Sequence, residues 1–398
     1  MHQPVPARRA PAARRGNFSW RSRRVRALAY QLAAVAVIGL LAWLLVSSTL
    51  ANMRLRGIQS GFDFLLQPAG FDIGEGWVPY DSVNPYWRAF LVGIVNTLRV
   101  AVIGCVMATV LGTLLGIGRF SPNALVRGIC SAYVELFRNV PVLLQLLMWY
   151  LIFTEYLPLP NEALSIGHAV FLSKNGISFP ALQWEGGHWL AVAGLAAGLA
   201  AAWAWTRFAR AAFERTGRPW PVASACILLI LVFTVAGWLA GGAPGNFNYP
   251  AVGELQVEGG AALSPEYMSV LLGLVLYTSA FIAEVVRAGI ASVPRGQHEA
   301  GASIGLSRWR AMRLVVLPQA LRLIIPPLTN QYLNLTKNSS LAVAVGYPDV
   351  VSIANTSLNQ SGRAVECIAI IMAVYLTLSL ATSAMMNWFN RRAAIKER

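Results

Sequence analysis

Of 398 residues, 56% are hydrophobic and only 12% are charged, with a mean hydropathy of +0.54. A soluble domain carries about a quarter charged residues, so a water-soluble globular chain is excluded. The net charge of +15 points toward nucleic acid only until its distribution is read. Taken in chain order, apolar runs suited to bilayer-crossing helices fall near Ala27–Val46, Phe90–Ile117, Ser131–Phe153, Trp189–Trp205, Val222–Ala240, Met268–Val286, Leu323–Val343 and Val365–Phe389. Each approaches the roughly 20 residues that span a bilayer, and helices satisfy their own backbone in lipid. With the N-terminus inside, 24 of the 32 Lys and Arg fall in inside segments. The basic charge is a topology signal, and no nucleic-acid partner is expected.

The first 26 residues hold eight Arg and no acid, and the span after them lacks a clean cleavage site, so it reads as a retained anchor. The expected layout is a basic inside tail (1–26), an anchor (27–47), an outside loop (48–88), a first core part (89–157), inserted loops with a two-helix hairpin (158–264), a second core part (265–390) containing a long inside loop (291–318), and an inside tail (391–398). Fold class is therefore all-α and polytopic, with about eight transmembrane helices, five forming a functional core. Tyr86, Trp87, Trp149, Tyr150, Trp184, Trp189, Trp203 and Trp205 cluster near span ends, as interfacial aromatics do. The four cysteines show no metal-ligand spacing and read as small core residues.

Chemistry-bearing residues are few. No G-x-x-x-x-G-K-[ST] occurs, so the chain is not expected to bind ATP through a P-loop, and no metal site or catalytic residue is expected. The inside loop reads Gln297-His-Glu-Ala-Gly-Ala-Ser-Ile-Gly305, then runs to Leu317-Pro318. Between Pro294 and Gly305 a short helix is expected, ended by Gly305 in a left-handed conformation. Glu299 complements the helix dipole, small Ala300 and Gly301 admit a partner's close approach, and Pro318 suits the start of the next span. An amphipathic interfacial helix anchored by Trp309 is the alternative.

In the third span, Glu135 and Arg138 sit three apart and can pair on one helix face. Pro141 is expected to break that helix, a device transporters use near their pathway, with Gln145 one turn beyond. Glu284 and Arg287 form a second such pair, and Lys337 and Ser340 lie in an otherwise apolar region. Asn96 and Thr97 are milder candidates. Charge inside a span is costly and usually faces protein or a watery path. Each of these residues is a translocation-path candidate, with interhelical hydrogen bonding the competing role. Lys337 has the further option of neutralising Glu135 or Glu284.

The inside loop follows E-A-A-x3-G-x9-I-x-L-P, with Glu299, Ala300, Gly305, Leu317 and Pro318 in register, Gly301 replacing the second Ala and Val315 the Ile. Together with Glu135-x-Phe137-Arg138-x-x-Pro141-x-Leu143-x-Gln145-Leu146, Ala283-Glu284-x-x-Arg287-x-Gly289-Ile290 and the Lys337–Leu341 element, the chain resembles permeases of polar amino-acid ABC importers. Gly70-Phe-Asp-Ile-Gly-Glu75 and the extra spans are similar to the general L-amino-acid or glutamate/glutamine/aspartate/asparagine subgroup. The resemblance implies a type I importer core, paired with a second homologous permease. It implies a dimer of ABC ATP-binding subunits, docked on the inside loop 291–318 as the family's signature loop and binding ATP and Mg, and an amino-acid-binding protein on the periplasmic side. It places the chain in the bacterial inner membrane with both termini cytoplasmic. An ion-coupled secondary transporter or channel is the alternative; a non-transporting scaffold is a further one.

Overall fold

The computed structural model describes residues 23–55, 60–167, 169–253 and 257–393. Most of the basic tail expected at 1–26 lies outside these residues. Twelve helices run in chain order: α1 (Arg23–Leu55), α2 (Tyr86–Gly118), α3 (Ala124–Asn139), α4 (Val142–Leu151), α5 (Gly186–Thr216), α6 (Ala223–Ala240), α7 (Pro265–Ala291), α8 (Arg295–Ser303), α9 (Arg308–Ala311), α10 (Leu317–Asn338), α11 (Val350–Ser361) and α12 (Ala364–Ala393). Among the described residues, seven helical segments are long and apolar enough to cross a membrane. The third span is broken at Pro141, as its sequence indicates: α3 and the helix following Pro141 meet at 102°. Pro141 removes a backbone donor and clashes with the preceding turn. Gln145, 2% exposed, donates through Nε2 to the carbonyls of Phe137 at 3.0 Å and Val140 at 2.9 Å, satisfying groups freed by the break.

Helix α7 is the hub, packing against α2, α3, α4 and α10. The α2–α7 seam is close because Gly112 and Gly116 face Ser279, Ile282, Ala283 and Val286, the small-residue device of membrane helix pairs. Val100, Leu146, Leu274, Ile282, Val316 and Leu335 fill the main core. A second core unites the segment before α2 with the N-terminal end of α2, with α11 and with the start of α12, through Phe64, Ala69, Phe90, Ile353 and Cys367. Helices α5 and α6 form a hairpin packed chiefly on itself, with Gly194 against Phe233 and Gly198 against Ile230. Nearly all the described side chains of α1 are exposed.

The inserted loops contain small sheets not expected from sequence. β1 (Leu164–Ile166), β2 (Val170–Ser173), β3 (Gly176–Phe179) and the late strand Ala261–Leu263 make one antiparallel sheet in that order, with Ser178 opposite Ala262. Its strands have three or four residues, too short for an alternating pattern to stand out, and its last pairing joins segments on either side of the hairpin.

Candidate functional site

The loop between α7 and α10 forms as its turn signals require. Helix α8 runs from Arg295 to Ser303, and Gly305, at φ +77°, donates its N–H to the Ala302 carbonyl at 2.9 Å. Leu306 N–H reaches Gly301 O at 3.0 Å, closing the helix end. Glu299 and Ala300 are exposed, on the side of α8 away from the protein. Gly301 is buried, and a Cβ there would meet Ala311 Cβ at 3.4 Å, so the departure from Ala at this position leaves only a small gap. Gln297 accepts from Gln319 Nε2 at 3.1 Å, tying α8 to the first turn of α10. That helix begins at Leu317 with Pro318 in its first turn, as the sequence indicates.

The charged residues assemble differently from the local pairs read in sequence. Glu284, near the C-terminal end of α7, receives Arg287 from its own helix, and that pair is as expected. It also receives Arg119 from the end of α2, and Arg138 of α3 approaches to 3.9 Å. The expected Glu135–Arg138 pair is thus corrected: Arg138 turns toward α7 and lies 5.3 Å from the Phe281 ring, while Glu135 is exposed. An isolated i,i+3 pair contributes only a few tenths of a kcal/mol, less than a site where several charges converge. Lys337 neutralises neither acid; it is exposed on α10, and among the described residues no ion pair includes it. Ser340 donates to the Lys337 carbonyl at 2.7 Å.

Asn96 and Thr97 are fully buried staples between α2 and the chain preceding α11. Asn96 Nδ2 donates to Glu75 O and Pro348 O, both at 2.9 Å, and Thr97 Oγ1 accepts the Val350 N–H at 3.1 Å. Sequence reasoning missed Arg119, which lies beyond a span end, and the pair formed by Arg99 and Glu75 at 2.7 Å. The available signal was Arg99 within an apolar run, a charge that needs an acid nearby. Also missed were Asn330 and Asn334. With Pro326 and Lys337 they form an exposed row at spacings of three and four on α10, so they share one face.

A bent-span core, a short helix presented on one side and a row of polar residues on a spanning helix define a membrane component of a transport system. Residues 221–395 match the family described as binding-protein-dependent transport system inner membrane component. The general L-amino acid transport system permease protein AapQ of Rhizobium johnstonii is 43% identical, over 94% of this chain and 93% of its own. The putative amino-acid ABC transporter permease protein YhdX of Escherichia coli is 45% identical, over 96% of this chain and 98% of its own. The glutamate/glutamine/aspartate/asparagine transport system permease protein BztB of Rhodobacter capsulatus is 39% identical, over 90% of this chain and 91% of its own. The chain belongs to the amino-acid ABC transporter permease family, whose members are multi-pass inner-membrane subunits without catalytic activity or a cofactor of their own. A solved amino acid ABC transporter aligns with 77% of this chain and 95% of its own, at 20% identity and a TM-score of 0.46.

Proposed function

We propose that the chain passes polar L-amino acids, of the glutamate, glutamine, aspartate and asparagine class or a broader range, along the α10 face that carries Asn330, Asn334 and Lys337. The exposed polar row carries this reading. In hydrocarbon an uncovered amide or ammonium is costly, so such groups face protein or water. Covered by a second permease across a watery cleft, they offer donors and one positive charge to a carboxylate. Glu284, Arg287, Arg119 and Arg138 tie α2, α3 and α7 together just before the signature loop. Motion of α8 is therefore transmitted to three helices at once. Gln145 is a structural cap within this arrangement, and Asn96 and Thr97 hold the outer end of α2.

In this reading, the exposed Glu299 and Ala300 meet an ABC ATP-binding subunit, which binds ATP and Mg, and an amino-acid-binding protein delivers the solute from the periplasm. Both termini lie in the cytoplasm. The test is uptake of radiolabelled glutamate, glutamine, aspartate and leucine by proteoliposomes holding this chain, its companion permease, the ATPase and the binding protein. Glu299→Lys abolishes ATP-dependent uptake while leaving membrane insertion intact, and Asn334→Leu lowers uptake without loss of assembly. Uptake that persists without the ATPase would make the chain a secondary transporter instead.

A further inference from the structure

The buried Glu75–Arg99 pair belongs neither to the polar row nor to the signature loop. Helix α2 has 33 residues, about 50 Å of length against a hydrocarbon core of roughly 30 Å. Arg99 lies about 20 Å along it from Tyr86, beside Tyr267 in the first turn of α7. The two side chains are 4% and 15% exposed and 2.7 Å apart. The guanidinium also stacks 3.8 Å from the Tyr267 ring and 4.9 Å from the Trp77 ring. The other Glu75 oxygen accepts from Ser264 Oγ, and its backbone carbonyl from Asn96.

Glu75 sits in a glycine-punctuated strap, Gly70-Phe-Asp-Ile-Gly-Glu-Gly-Trp77. The chain before the strap is held firmly: Phe64 and Ala69 are in the outer core, Ala69 N–H bonds Asn84 O and Gly70 N–H bonds Ser82 O at 2.9 Å each, and Arg363 reaches Asp63 at 3.2 Å. The middle rests Phe71 and Ile73 on the outer core and adds the polar contacts of Glu75. Beneath it lies a cavity of about 410 Å³, walled by Phe71, Asp72 and Glu75 on the strap side and by Glu266, Pro348 and Thr356 opposite. Gly346 and Pro348, which also line it, follow the seven-residue 3-10 segment Ser339–Val345 that continues α10 beyond Lys337. Among the described residues the buried Arg99 Nε meets no acceptor.

We propose that Gly70–Trp77 is an outer gate over the path and that Glu75–Arg99 is its latch. The inference rests on the path reading above. Opening rehydrates both carboxylate and guanidinium, whereas closing pairs them out of water. Intermediate positions leave a charge neither paired nor solvated, which favours two discrete arrangements over a continuum. Docking of the amino-acid-loaded binding protein is the event that releases the latch.

A Cβ built on Gly76 lies 2.7 Å from Val92 Cγ1, so cysteines at 76 and 92 are within disulfide reach. In the complete reconstituted complex carrying Gly76→Cys and Val92→Cys, with the native cysteines replaced, oxidation is expected to abolish uptake and reduction to restore it. Undiminished uptake by the oxidised, cross-linked protein would overturn the gate. Should the reduced variant be inactive, Glu75→Gln decides: a gate predicts a severalfold rise in ATP hydrolysis without binding protein, and an unchanged basal rate refutes it. Asn334→Leu separates the two readings. A silent cross-link beside a dead Asn334→Leu variant refutes the gate alone, and a blocking cross-link beside a fully active Asn334→Leu variant refutes the path along α10 and leaves the gate standing.

Discussion

Replacing Gly112 by Ala tests whether the α2–α7 seam is as close as the structure has it. The added methyl would lie 2.7 Å from the Ser279 carbonyl oxygen and 2.7 Å from Ile282 Cβ. Comfortable contact begins near 3.5 Å, so the helices must part by roughly 0.8 Å. The obstructing oxygen is backbone, with no rotamer to relieve it. Overpacking of this kind costs about 1–3 kcal/mol, and two simultaneous clashes place it at the upper end. Against this, Ala gains up to about 1 kcal/mol over Gly inside a helix, leaving a net loss of about 2 kcal/mol. Gly128→Ala in α3 is the control. A Cβ there meets nothing within 4 Å, so only the propensity gain remains and the two variants differ by about 3 kcal/mol. Unfolding curves in one detergent, followed by circular dichroism, give the comparison directly. Equal stability of the two variants would refute the seam.

Three further outcomes are expected. Glu284→Gln, which leaves Arg119, Arg138 and Arg287 facing one another, costs about 2 kcal/mol for a partly exposed charge cluster and lowers coupled uptake; wild-type stability and uptake together would show the cluster to be idle. Deleting residues 189–240 leaves ends that already touch, since a Cβ on Gly187 would fall 2.2 Å from Gly241 O, so assembly with the companion subunits survives, as co-purification would reveal. Asp349, in the turn before α11 and outside the spans, has its carboxyl pushed up from 3.8 to about 7 by burial, against the opposing N–H of Ser352. The folded state binds this proton more tightly, so the contribution is complete below pH 3.8 and is lost as the pH rises to about 7. The melting temperature of the complex should fall over that window, and Asp349→Asn should flatten the fall; an identical slope in the variant counts against it.

The signature helix shows why some of this was legible in sequence. Pro294, Gly305 and Pro318 act through their own backbone dihedrals, so α8 and the start of α10 follow from local rules. The break at Pro141 is local in the same way, although its 102° bend is set by packing on α7. Apolar runs likewise fix where the chain can cross lipid, because each span must satisfy its own backbone. Partner choice is not local. Arg138 had an acid three residues away and instead turned to Glu284, a choice that depends on α3 and α2 both packing against α7. Lys337 reads in the sequence as a charge in an otherwise apolar region, and only the fold leaves it and Asn334 uncovered on one face. Arg99 announced that it needed an acid, yet Glu75 became that acid because the outside strap folds back onto α2. Backbone chemistry and hydropathy, carried by each segment alone, thus determined spans, turns and the signature loop. Charge pairs and the exposed face were decided by tertiary structure, since they depend on distances between segments far apart in the chain.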